Sequence, residues 1–279
     1  MKVFNVDLKK EYGFLQGGTL NCLVTEYPYD GEQPDSWALP ALIVIPGGGY
    51  GMTSKREGFP IATAFMAKGF QTFIVNYLCQ PQGARYPEQL LEEAAAVDYV
   101  KKHAKALHIN PNEVFLVGFS AGGHLVGNLA VEHQNVAQKA GVALDCKPTA
   151  VGLCYPVITH VGGHFASYEN LLSGYSEEAK EELFKTLDLN EAVSAQTPPA
   201  FIWATASDNV VPADNALRYA LAMAKNNLDY EIHVYPEGVH GLSTGHRDIN
   251  LQLSDEAART ARWVDDCACF FRRYTMEKF

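Results

Sequence analysis

A chain of 279 residues, 47% of them hydrophobic, can bury one substantial core, and no Pro-, Gly- and Ser-rich stretch divides it into separately patterned halves, so residues 1–279 are expected to form a single domain. Its 32 acidic against 22 basic residues give a formal net charge of −10, which disfavours nucleic acid and anionic membrane surfaces as partners. No run of 18 apolar residues and no leader-like stretch after Met1 occur, so a soluble, cytoplasmic chain is expected.

The first strand signal is TLNCLVTEYPY at 19–29, followed by a turn-rich segment and then ALIVIP at 41–46, an apolar run bounded by Pro and Gly. Ile61, Phe65 and Met66 have helical spacing within 57–68, Gly69 ends that helix, and FQTFIVNY at 70–77 is again strand-like, completing a β-α-β unit. Beyond Pro87, the residues Leu90, Ala94, Val97, Val100, Ala104 and Leu107 recur at steps of three and four, predicting one long amphipathic helix closed by a turn at Asn110-Pro111-Asn112.

Further strands are predicted at 113–119, 149–156, 200–206 and 230–236, with helices from about 121, from about Pro212 and through the C-terminus. Strands that read as continuous apolar runs alternating with helices imply a mostly parallel sheet covered on both faces. Functional residues then belong at the carboxyl ends of the strands. The interval 157–198 has the weakest strand signal, and any lid is expected there.

GFSAG at 118–122 is a Gly-x-Ser-x-Gly between a strand and a helix. Such a turn holds the serine in a strained backbone conformation with its hydroxyl projecting, and the two glycines leave room where a Cβ would collide. IPGGGY at 45–50, at the end of a buried strand, supplies bare backbone N–H groups suited to an oxyanion. A phosphate-binding reading fails because the Walker Lys and Ser/Thr are absent and GGG does not fit Gly-x-Gly-x-x-Gly.

A serine nucleophile needs a neutral imidazole to take its proton. Of nine histidines, His240 lies in a glycine-flanked loop directly after a strand, whereas His233 sits inside that strand, His246 is a weaker candidate in the same loop, and His124 follows Ser120 on the helix and is expected only to pack or hydrogen-bond. The carboxylate that orients the base should follow a strand between serine and histidine. Asp208 does so, while Asp214 and Asp229 are expected to be solvated surface charges. The proposed catalytic set is thus Ser120, Asp208 and His240, with no cofactor and no metal. His160 and His164 lack a third ligand nearby, which favours loop packing over metal binding. The six cysteines contain no Cys-x-x-Cys pair and are expected to be reduced and mostly buried.

With PGGGY at 46–50, RYPEQL at 85–90, GFSAGGH at 118–124, SDNVVP at 207–212 and GVHGL at 238–242, the chain resembles the α/β-hydrolase superfamily. Within it, the chain is similar to bacterial carboxylesterases and acetyl esterases related to the hormone-sensitive-lipase group. The resemblance implies an α/β-hydrolase fold with at most a small lid, a small-molecule ester substrate, and an oxyanion hole from the N–H groups of Gly48, Gly49 and Ala121. Two departures stand out: Pro46 replaces the histidine that usually opens the glycine loop, and the N-terminus is too short for a helical cap. The rival readings are a peptidase of the prolyl-oligopeptidase type and a silent ligand-binding homologue. A homo-oligomer is compatible with the sequence.

Overall fold

Eight strands make one sheet: β1 (Lys2–Asp7), β2 (Thr19–Val24), β3 (Leu39–Ile45), β4 (Gln71–Asn76), β5 (Ile109–Phe119), β6 (Ala150–Cys154), β7 (Ala200–Thr205) and β8 (Tyr230–Tyr235). Their spatial order is β1-β2-β4-β3-β5-β6-β7-β8, with β1 and β2 antiparallel at one edge and the other six mutually parallel. The computed structural model describes residues 1–32, 34 and 36–276. This is the mostly parallel sheet expected from the strand and helix pattern, and the α/β-hydrolase fold that the resemblance implies.

Alternation along the buried strands divides the core in two. Ile43 and Ile45 of β3 and Val114 and Leu116 of β5 face one apolar cluster, while Leu42 and Val44 of β3 and Phe115, Val117 and Phe119 of β5 face the other. The helix Ala121–Glu132, which follows Ser120, packs into the first cluster, and the C-terminal helix Trp263–Arg272 covers the second with Trp263, Cys267 and Phe271. Five of the six cysteines are buried and all are free; Cys269 is exposed.

The structure departs from the sequence-based expectations at three places. Strand β1 was not predicted, because only Val6 of its six residues is buried and an exposed edge strand needs no apolar period. The long helix stops at Lys102 rather than continuing to Leu107: His103 breaks it, a four-residue turn of helix Ala104–Leu107 follows, and His108 adopts a left-handed conformation. Asn110, Pro111 and Asn112 then belong to the start of β5 instead of a closing turn, since Ile109 already pairs with Leu39.

The helix Glu88–Lys102 is also buried on more sides than its spacing predicts, including Glu88, Glu92 and Asp98. Backbone and side-chain donors from covering segments meet these carboxylates: Gln16 N–H reaches Glu88 Oε1 at 2.6 Å, Leu78 N–H reaches Glu92 Oε2 at 2.7 Å, and Asp98 accepts from Asp145 N–H at 2.8 Å. Such donors offset the cost of burial at Glu88 and Asp98, whereas Glu92 keeps Oε1 without a partner among the described residues and burial pushes its pKa up to about 9. Among the described residues, no helix is long and apolar enough to cross a membrane.

Residues 157–198 connect β6 to β7 and contain the helices Phe165–Leu171, Glu177–Leu187 and Leu189–Ala192. Buried Tyr168, Leu171, Leu172, Leu187 and Leu189 tie the segment to the first apolar cluster.

Candidate active site

Register places the glycine loop beside the serine turn: Ile45, the last residue of β3, pairs with Gly118 of β5. Ser120 has φ 54° and ψ −118°, a conformation disfavoured for a side chain and held here by its surroundings. Its N–H donates to Cys154 O at 3.0 Å, and its carbonyl accepts from His124 and Val157 N–H at 3.0 and 3.1 Å. A Cβ at Gly118 would lie 2.2 Å from Gly122 O, and one at Gly122 would lie 2.3 Å from Ile45 O and 2.4 Å from Pro46 O. Both glycines are therefore required by backbone contact, which lets the helix enter close against β3.

The structure brings Ser120, Asp208 and His240 together from three strand ends. His240 Nε2 lies 2.8 Å from Ser120 Oγ, and His240 Nδ1 lies 2.6 Å from Asp208 Oδ2. The Asp208 side chain is almost wholly buried, and its other oxygen accepts from Val210 and Val211 N–H at 2.9 and 3.0 Å. Those two amides fix the carboxylate plane so that Oδ2 faces the imidazole. The ring of Tyr155, at the end of β6, meets the His240 ring edge-on with centroids 5.1 Å apart.

The glycine loop runs over the serine. Gly48 and Gly49 have φ of 126° and 63°, and a Cβ built on Gly47 would lie 3.0 Å from Ser120 Cβ. Among the described residues, no group accepts from the N–H of Gly48 or Gly49. Ala121 is the first residue of its helix, so its N–H has no acceptor within that helix. Several neighbouring groups of the loop, by contrast, are held: Gly47 N–H donates to Glu57 Oε2 at 2.9 Å, Gly48 O accepts from Gly51 and Met52 N–H, and Asn170 Nδ2 donates to Gly49 O at 2.8 Å. Pro46, which opens the loop, accepts at its carbonyl from Tyr77 OH at 2.8 Å.

The other histidines and acids lie elsewhere. His233 pairs with Glu231, His246 is exposed, Asp214 pairs with Arg218, and Asp229 pairs with Arg273. His160 Nδ1 meets Asp188 at 2.8 Å and its ring stacks on Phe184, while His164 Nδ1 meets Ser167 Oγ at 2.9 Å. Among the described residues, no group of three or more His, Cys, Asp or Glu is arranged to hold a metal. His164 nevertheless borders the site: burial and the nearby His240 both lower its pKa, and its Cε1 would be 3.8 Å from a Cβ at Gly49.

His124 is a structural tie, as its position on the helix suggested. It is fully buried, with Nε2 donating to Leu187 O at 2.9 Å and Nδ1 accepting from Tyr50 OH at 2.7 Å, because a carbonyl can only accept. Burial pushes its pKa down to about 4 from 6.5. The unfolded chain therefore binds a proton that the folded chain refuses between those values, so this contribution to stability is complete above pH 6.5 and is lost as pH falls towards 4. The loss is expected to reach about 3 kcal/mol. Melting curves between pH 7 and pH 4.5 check this: His124→Gln should melt lower at pH 7 but with a shallower dependence on pH, and an unchanged slope would refute it.

Sequence reasoning missed Glu57, Tyr155 and Asn170. Glu57 sits in a charged SKREG segment that looks solvent-facing, yet it is buried, and burial raises its pKa against the opposing pull of Tyr155 and Gly47. Tyr155 carried one usable signal, its position directly after a buried parallel strand. Asn170 carried none, since its contact with Gly49 spans 121 residues.

The model of the BD-FAE family matches residues 30–223. The endo-1,4-beta-xylanase B of Butyrivibrio fibrisolvens is 32% identical over 212 residues, covering 75% of this chain and 33% of that protein. An acetylxylan esterase of Xylanibacter ruminicola is 32% identical over 219 residues, covering 76% of this chain and 43% of that protein. The chain thus spans less than half the length of these two relatives. The crystal structure of the carboxylesterase Cest-2923 from Lactobacillus plantarum superposes with a TM-score of 0.85 at 25% identity and covers 100% of both chains.

Proposed function

The chain belongs to the BD-FAE family, and from that membership and the geometry at the strand ends we propose that it is a serine carboxylic ester hydrolase acting on small, short-acyl esters. The observation that carries this reading is the continuous chain of contacts from Ser120 Oγ through His240 to Asp208, at 2.8 and 2.6 Å, beside unpartnered amides. The similarity to an acetylxylan esterase and to a carboxylesterase supports the ester bond as the target, and the former supports a short acyl group. The xylanase similarity covers a third of that protein and carries no glycosidase activity to this chain.

In the proposed reaction, His240 Nε2 takes the Ser120 proton as Oγ attacks the ester carbonyl. The N–H groups of Gly48, Gly49 and Ala121 receive the oxyanion, where preorganised donors are most effective because they need no reorientation as charge develops. His240 then hands its proton to the leaving alcohol. Water, activated by the same imidazole, releases the acid from Ser120. Asp208 keeps Nδ1 protonated and supports the imidazolium throughout.

A fluorophosphonate probe is expected to label Ser120 stoichiometrically, and a panel of aryl esters and aminoacyl amides is expected to give kcat/KM highest for acetyl and propionyl esters. Failure to label would favour a silent binding protein. Preference for the amides would favour the peptidase reading.

A further inference from the structure

The buried carboxylate of Glu57 has no part in the acyl-transfer scheme, yet it lies where two catalytic loops meet. Its Oε2 accepts from Gly47 N–H at 2.9 Å, at the root of the glycine loop, and its Oε1 accepts from Tyr155 OH at 2.7 Å. Tyr155 Oη in turn accepts from Ser243 N–H at 3.0 Å, in the loop that carries His240, while the same ring packs against the His240 imidazole. The residues around Glu57 reinforce this bridge. Ser54 N–H donates to Gly47 O at 2.9 Å, Arg56 O accepts from Ser243 Oγ, and the Arg56 guanidinium donates to Ile249 O and Asn250 Oδ1.

We propose that Glu57 is a positioning residue which, by accepting one hydrogen bond at each carboxylate oxygen, keeps the glycine loop and the histidine loop in register around Ser120. The inference rests on the proposed roles of Ser120 and His240. Only a carboxylate suits this position. Glutamine offers one acceptor and one donor, so its amide would set N–H against either the Gly47 amide or the Tyr155 hydroxyl, and a buried donor would lose its partner. One loop or the other must then shift, and displacements of about 1 Å at a reacting centre cost about 100-fold in rate.

The test uses Glu57→Gln, Tyr155→Phe and the double variant, with kcat and KM for an aryl acetate expressed per active site titrated by the fluorophosphonate. Glu57→Gln is expected to lower kcat by about 10- to 100-fold with KM within about threefold, and to slow labelling in parallel. Tyr155→Phe, which removes one oxygen, should give a smaller fall, and the double variant should be no worse than Glu57→Gln alone, because both break one chain of contacts. Dividing by titrated sites removes any loss due to misfolding, and Tyr155→Phe keeps the test decisive should Glu57→Gln not fold. Wild-type kcat per site in the variants that fold, or independent multiplying effects, would overturn the proposal while leaving the esterase reading intact. A wild-type protein that neither labels nor hydrolyses would end both.

Discussion

Ser120→Ala is expected to lower kcat for an aryl acetate by about 10⁵- to 10⁶-fold while moving the melting temperature by no more than about 3 °C. The large first effect follows from loss of the only proposed nucleophile: without Oγ, His240 has no proton to take and no acyl-enzyme forms. The small second effect follows from what holds the turn in place. The Ser120 backbone is fixed by Cys154, His124 and Val157, and its unusual φ is maintained by the close approach of Gly118 and Gly122 to neighbouring backbone. None of these contacts uses the hydroxyl. Steady-state assays paired with thermal melts check the prediction, and more than about one part in a hundred of wild-type activity would displace Ser120 from its role.

Asp208→Asn should keep the fold and lower kcat by about 10⁴-fold. The reason lies in how the carboxylate is already used. Oδ1 accepts from two backbone amides, so an asparagine would keep its carbonyl oxygen there and present its NH2 to His240. Two donors cannot face each other at 2.6 Å, so Nδ1 must become the acceptor and the ring proton must move to Nε2. That is the tautomer unable to deprotonate Ser120. Proton NMR of the imidazole would reveal the exchange directly, and a variant retaining about a tenth of wild-type kcat would remove the orienting role of Asp208.

The parallel strands were legible because strands buried on both faces must be apolar throughout, as ALIVIP and AFIWAT are. Strand β1 was not, because an edge that buries one side chain writes almost nothing into its composition. The break at His103 was hidden for a related reason: apolar spacing continues through Ala104 and Leu107 although the helix axis does not. At the site, Ser120, Asp208 and His240 could be singled out because each lies in the turn or loop that follows a recognisable strand. Glu57, Tyr155 and Asn170 bind backbone or a hydroxyl across 10 to 121 residues, and such pairings leave no periodic mark.

The helix Phe165–Leu171 lies in a segment whose position suggests an interchangeable cover, yet its Asn170 grips the carbonyl of Gly49, next to an amide assigned to the oxyanion. On the proposed assignment of that amide, a change made in this segment would therefore reach the reacting centre. An engineer who transplanted residues 157–198 from a relative to alter which alcohols are admitted would also replace a strut of the reaction centre, and a graft lacking an amide at that spot should slow every substrate alike.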